Sequence, residues 1–141
     1  MNAYVSAILQ GAVLTVGVSV AALLVSVVLG LLGAGAKLSG RPVWVGVATA
    51  YTTIIRGIPD LVLMLLIFYG GTIGLNNTLE WMGSEATVDI NPFVAGVLTL
   101  GFIYGAYMTE TFRGAMLSIP KGQAEAAWAF GMGRTQTFIR I

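Results

Sequence analysis

The 141-residue chain contains no cysteine and no histidine. These residues supply most zinc, haem and thiol chemistry and the base of hydrolytic triads, so we expect no metal site, no cofactor and none of the usual Ser-His-Asp or Cys-His catalytic sites. Charged residues make up only 9% of the chain, whereas soluble domains have about 25%. The absence of a basic stripe argues against nucleic-acid binding. With 57% hydrophobic residues, the sequence predicts a membrane protein.

Three apolar segments are long enough to cross a bilayer as helices. A hydrocarbon core of about 30 Å requires roughly 20 helical residues, and an open sheet could not satisfy its backbone in lipid. The predicted fold is an all-α, polytopic transmembrane helical bundle that forms a single domain over residues 1–141, with spans at about 8–32, 59–75 and 92–112. No charged residue precedes Lys37, so we expect the first segment to be a retained span and not a cleaved signal peptide.

Apolar residues between the first two spans recur at helical spacing from Val43 to Ile55. This segment is too short to cross the bilayer and is flanked by arginines, which favours a helix at the cytoplasmic interface. Pro59 breaks the pattern, and Asp60 suits the positive end of a new helix. The alternative is one long tilted helix, Val43–Leu75, kinked at Pro59.

All the basic residues fall on one side of this arrangement: Lys37, Arg41, Arg56, Arg113, Lys121, Arg134 and Arg140. A loop predicted at Asn76–Asn91, with a turn at Asn76-Asn77, holds Glu80, Glu85 and Asp89 and no Lys or Arg. Because basic residues near the ends of spans stay in the cytoplasm, the N-terminus is expected outside and residues 114–141 inside.

The cytoplasmic segment contains Glu125-Ala126-Ala127, three further residues and Gly131. Pro120 suits a helix start, and Gly131 and Gly133 can take positive φ and end the helix. A second short helix is expected over 136–141. Small alanines and nearby aromatic residues would let a partner surface approach closely. The alternative is an amphipathic helix that lies in the membrane interface against its own membrane domain.

Polar side chains also occur at the ends of the predicted spans. Six of them are candidates to line a translocation path or to brace the cytoplasmic loop: Arg56, Asp60, Tyr104, Tyr107, Glu110 and Arg113. Glu110 and Arg113 are three residues apart and share a helix face, as do the two tyrosines. The alternatives are snorkelling ion pairs and interfacial aromatic belts. Two Gly-x-x-x-Gly pairs, Gly70/Gly74 and Gly101/Gly105, predict close helix packing against segments beyond this chain.

Taken together, these motifs resemble the polar amino-acid uptake family of ABC-importer permeases, of the histidine/arginine/lysine/ornithine and opine types. The resemblance rests on Arg56-Gly57-Ile58-Pro59 and on the run from Gly101 to Arg134, which includes Gly122-Gln123 before Glu125-Ala126-Ala127. It implies a type I ABC-importer permease fold in a bacterial inner membrane, with about three of five expected spans present. Residues 114–141 would then form the loop that couples to the ATPase.

The resemblance also implies partners. These are a dimer of ATPase subunits, a second similar or identical permease, an extracytoplasmic solute-binding protein, a polar and basic amino-acid substrate, and membrane lipid. ATP would be hydrolysed in a separate chain, because no Walker motif is present. The family pattern continues beyond Ile141, so the chain is expected to be a fragment and to be unstable alone. The alternative function is a small three-span channel, carrier or assembly protein without an ATPase.

Overall fold

A computed structural model of the chain describes residues 2–83 and 91–141, and every regular element in that part is helical. The helices are α1 (Asn2–Leu38), α2 (Pro42–Gly57), α3 (Asp60–Leu65), α4 (Gly71–Trp81), α5 (Pro92–Ser118), α6 (Lys121–Ala129) and α7 (Arg134–Arg140). A π-helical turn, Leu66–Gly70, joins α3 to α4. Helix α1 has 37 residues and is therefore about 55 Å long.

Three helices are long and apolar enough to cross a membrane: Tyr4–Leu38, Asp60–Trp81 and Pro92–Ser118. The three predicted spans are thus confirmed as apolar helices, although each helix is longer than predicted. The turn predicted at Asn76-Asn77 is wrong, because both residues lie inside α4 and the apolar face continues to Trp81. The predicted loop residues Glu85 and Asp89 lie outside the described residues.

The chain between α2 and α3 is extended at Ile58 (φ −112°, ψ 139°) and at Pro59 (ψ 132°). The alternative of one kinked helix over Val43–Leu75 is therefore wrong. Proline disfavours helical geometry in the residue before it, which accounts for the break at Ile58. Asp60 begins α3 as predicted. The location of α2 at the membrane surface stays a prediction.

Helices α1 and α5 form the main packed pair, and glycine makes their approach possible. A Cβ added at Gly101 would lie 2.5 Å from Val25 Cγ1 and 2.7 Å from Val25 Cβ, so no larger residue fits. At Gly105 an added Cβ would lie 2.9 Å from Leu29 Cβ. The prediction that these glycines pack against segments beyond this chain is wrong, because α1 covers both.

The core beside this pair brings α2, α3 and α5 together. Its buried members are Ile55, Leu63, Ile103 and Ala106. The Tyr51 hydroxyl on α2 donates a hydrogen bond to the carbonyl of Phe102 on α5, and the two rings lie 5.0 Å apart. Burial raises the pKa of Tyr51 to about 12, so this hydroxyl remains a donor at neutral pH. By contrast, an added Cβ at Gly70 or Gly74 would meet no atom within 4 Å, so that glycine pair has no partner in the described part of the chain.

Candidate functional site

Tyr107 is the centre of a polar cluster at the α3–α5 contact. Its hydroxyl donates a hydrogen bond of 3.0 Å to Asp60 Oδ1. The Arg56 guanidinium lies 5.6 Å from the centroid of the Tyr107 ring, within the range of a cation–π contact. The Tyr104 ring lies 5.9 Å from that of Tyr107 on the next turn of α5. The structure therefore brings four of the predicted residues together.

Arg56 and Asp60 both contact Tyr107 and do not pair with each other. Asp60 is half-buried and Arg56 is exposed, and no ion pair joins them within residues 2–83 and 91–141. The central role of Tyr107 was not predicted. The i, i+3 spacing from Tyr104 was the available signal, yet it could not reveal which helix the tyrosine faces.

Glu110 is the centre of a second cluster, one turn further along α5. Its carboxylate accepts hydrogen bonds from Lys37 Nζ on α1 and, at 3.3 Å, from Arg113 Nε. Lys37 Nζ also donates to Thr52 Oγ1 on α2, at 2.7 Å. The Lys37 side chain is only 10% exposed and that of Glu110 22% exposed. This network therefore joins three helices through a largely buried ion pair.

The Glu110–Arg113 pair was predicted, but Lys37 and Thr52 were not. Lys37 is 73 residues from Glu110 in the sequence, and local spacing gives no indication of such a pairing. The available signal was that Lys37 ends a long uncharged helix, where an unpaired cation facing protein would be costly. Thr52 is 3% exposed, and its hydroxyl donates to the Thr49 carbonyl while accepting from the lysine.

The predicted coupling segment forms a helix, a glycine turn and a second helix. At the end of α6, the Met132 N–H donates to the Ala127 carbonyl (3.0 Å) and the Gly131 N–H donates to the Trp128 carbonyl (2.9 Å). This pair of bonds is a Schellman motif, which requires a left-handed residue, and Gly131 supplies it with φ +82°. Gly133 has φ −69° and begins α7, so the idea that it also takes positive φ is wrong.

The surface of α6 is open. Glu125 and Ala126 are exposed, Trp128 is 52% exposed and Phe130 is 87% exposed, whereas Ala127 is buried. In the part of the chain that the structure describes, α6 and α7 pack against each other and against no other helix. This arrangement places no membrane helix of the described residues against α6. It leaves an acidic and aromatic surface available to a partner.

The start of this segment also differs from expectation. Helix α5 continues to Ser118, six residues beyond the predicted end of the third span, and Pro120 precedes α6. The first residues assigned to the coupling loop are therefore the last turn of a helix.

Within the described ranges, no three side chains of the metal-ligating types His, Cys, Asp and Glu lie close enough together to hold a metal ion.

Comparisons with known proteins extend this description. Residues 26–141 match the family model described as "Binding-protein-dependent transport system inner membrane component". The chain is 56% identical over 134 residues to the histidine/lysine/arginine/ornithine transport system permease protein HisQ of Escherichia coli (strain K12), covering 95% of this chain and 58% of that protein. It is 38% identical over 133 residues to the octopine transport system permease protein OccQ of Rhizobium radiobacter, covering 94% and 56%.

A solved structure, the crystal structure of an amino acid ABC transporter with histidines, superposes with a TM-score of 0.72 at 31% identity. That match covers 97% of this chain and 58% of the solved chain. The chain thus spans somewhat more than half the length of the relatives that it matches.

Proposed function

The chain belongs to the family of inner membrane components of binding-protein-dependent transport systems, and we propose that it forms the permease of an ATP-driven importer for basic amino acids. The predicted family and the predicted all-helical permease fold are confirmed. The choice of substrate is supported by similarity: identity is higher to the permease named for histidine, lysine, arginine and ornithine than to the one named for octopine.

The proposed partners follow from this role. A dimer of ATPase subunits hydrolyses ATP on the cytoplasmic side, an extracytoplasmic solute-binding protein delivers substrate, and a second similar or identical permease completes the path. Support from the chain itself comes from its one-sided charge. Every Lys and Arg lies in or beside the segments assigned to the cytoplasm, with the N-terminus outside.

Helix α6 is proposed as the contact with the ATPase, and its separation from the membrane helices is the observation that carries the proposal. Glu125 offers a carboxylate to cations or backbone donors of the partner. Ala126 permits close approach, and Trp128 and Phe130 supply exposed aromatic anchors of the kind enriched at interface centres. The Schellman turn at Gly131 fixes the direction in which these anchors project.

The two polar clusters are proposed to have different roles. Glu110 already has cationic partners on α1 and on its own helix, so it braces the cytoplasmic end of the bundle. The Tyr107 cluster is more open, and Asp60 has a carboxylate that could attract a cationic substrate side chain. We therefore assign Arg56, Asp60, Tyr104 and Tyr107 to the translocation path.

The test uses Glu125→Lys in the assembled transporter, with Glu80→Lys as the matched control. Both side chains are exposed glutamates on helices, but Glu80 lies on α4, near the end predicted to face outside. Uptake of radiolabelled arginine and copurification of the ATPase with the permease are measured together. Glu125→Lys should lose both while the permease still inserts, since reversing one partner of a buried charged contact costs a few kcal/mol. Glu80→Lys should retain both.

If Glu125→Lys copurifies and transports like the unaltered protein, α6 is only a surface helix. That outcome would favour a membrane protein that works without an ATPase. Loss of uptake and of ATPase copurification in both variants would indicate a general folding defect and would also count against a specific contact at α6.

A further inference from the structure

An apolar groove of about 600 Å³ opens between α1 and α2, and none of the residues of the two polar clusters lines it. Leu29 and Leu32 line it from α1, Val47 and Tyr51 from α2, and Phe102 forms its inner end. Small residues at Gly33, Ala36 and Ala48 make up the floor. Val47 is 60% exposed and Leu32 66% exposed, so the groove faces outward from the bundle.

The groove exists because the chain reverses sharply after α1. Gly40 takes φ +67°, a left-handed conformation suited to a helix end, and Pro42 starts α2. Helix α2 then runs back beside the last third of α1. The lining combines small residues with larger apolar ones on both helices.

The length of the groove matches half of a bilayer. The lining residues on the α1 side run from Leu29 to Ser39. Ten residues of helix rise by about 15 Å. A hydrocarbon core is about 30 Å thick, so the groove is about as long as one leaflet is thick.

The end of the groove nearest the turn between α1 and α2 is cationic. Arg41, Ser39 and Trp44 lie there, and no carboxylate lines any part of the groove. Lys37, one turn earlier, is neutralised by Glu110. The Arg41 guanidinium has no ion-pair or hydrogen-bond partner in the part of the chain that the structure describes. Trp44 is 55% exposed, and tryptophan favours the headgroup region of a membrane.

We propose that this groove binds one anionic phospholipid, with an acyl chain along α1 and α2 and the headgroup phosphate at Arg41. The chemistry is that of a cation, a hydroxyl and an indole at one end of an apolar channel one leaflet deep. Negative lipids are enriched on the cytoplasmic leaflet, where the charge pattern places Arg41. The proposal requires that Arg41 lies at the cytoplasmic membrane surface and that the groove is open to lipid, and it does not depend on a transport role.

The given 141 residues contain no cysteine, so a site-specific label can be placed in them once any cysteines elsewhere in the transporter have been replaced by serine. A bimane fluorophore is attached at Val47→Cys in the assembled transporter, reconstituted in vesicles that contain brominated phosphatidylglycerol or brominated phosphatidylcholine. The matched control is Leu31→Cys, which is 47% exposed on α1 but does not line the groove. Quenching at Val47 should show about a fivefold preference for phosphatidylglycerol, as expected for one cation near the membrane surface. The Leu31 label should show no preference.

Replacing Arg41 in the labelled protein completes the test. Arg41→Gln should abolish the preference at Val47, and Arg41→Lys should retain most of it. Equal quenching by the two lipids at Val47, or a preference that persists in Arg41→Gln, overturns the proposal. Failure of both lipids to quench the Val47 label would mean that another protein helix covers the groove, which overturns it as well.

Discussion

The glycine turn after α6 contains two nearby glycines with opposite signs of φ, which permits a direct comparison. Gly131 has φ +82° and Gly133 has φ −69°. A Cβ added at either position meets no heavy atom within 4 Å. Alanine at Gly131 should therefore cost the left-handed penalty of about 1–2 kcal/mol. Alanine at Gly133, the N-cap of α7, should lose only the cap preference for glycine, roughly 0.5 kcal/mol.

A penalty of that size matters because the turn has little other support. Helix α6 has nine residues and α7 has seven, both below the length at which isolated helices are stable in water. Among the described residues these two helices pack only against each other. A loss of 1–2 kcal/mol should lower the ratio of ordered to disordered turn by roughly 5- to 30-fold.

The assay is the apparent affinity of the ATPase for the purified transporter membrane subunits, together with arginine uptake. Gly131→Ala should weaken ATPase binding by roughly 5- to 30-fold, while Gly133→Ala remains close to the unaltered protein. Gly131→Asn should fall between them, since asparagine tolerates the left-handed region better than other residues with a Cβ. If the two alanine variants bind the ATPase equally well, the conformation of the turn does not set the contact and the reasoning is refuted.

Three further outcomes are expected. Glu110→Ala leaves the buried Lys37 without its ion-pair partner and should lower the free energy of unfolding by about 3 kcal/mol in thermal unfolding. The double variant Lys37→Met with Glu110→Gln should recover part of that loss, and equal destabilisation by the single and the double variant would contradict a net ion-pair effect. Gly101→Ala should lower the free energy of unfolding by about 1–3 kcal/mol through overpacking. Gly96→Ala should be tolerated, because its Cβ would lie 3.9 Å from the nearest neighbouring atom, and melting temperatures of the two variants test this difference. A reporter fused after Lys121 should be active in the cytoplasm and one fused between α4 and α5 outside it, and the reverse pattern would exclude the proposed topology.

The sequence predicted those features that depend on local chemistry. Apolar length predicted three spanning helices, because lipid requires the backbone to satisfy its own hydrogen bonds. Glycine at position 131 predicted the end of α6, because few other residues adopt positive φ without strain. The i, i+3 spacing of Glu110 and Arg113 predicted their contact.

Features that depend on tertiary packing were missed or wrong. Asn76 belongs to a helix although asparagine favours turns, because two consecutive polar residues do not end a helix that has a long apolar face. The partner of Glu110 is Lys37, 73 residues away, and only the assembled α1–α5 pair brings them together. Gly101 was expected to contact segments beyond this chain, but composition alone does not specify which helix a glycine face meets.

Helix α5 connects the proposed ATPase contact at α6 to the proposed translocation path at Tyr107. Because α6 and α7 contact no other described helix, a force applied to them reaches the membrane helices through α5. Glu110 lies eight residues before Ser118, about 12 Å along the axis, and the ion pair to Lys37 is the first polar contact with α1 on that route. One turn further, Tyr107 connects α5 to Asp60 at the start of α3. A small rotation of α5 would therefore act first on the braced cytoplasmic end and then on the proposed translocation path. The close approach at Gly101 would keep α1 moving with α5, because the two helices are packed too tightly there to slide independently.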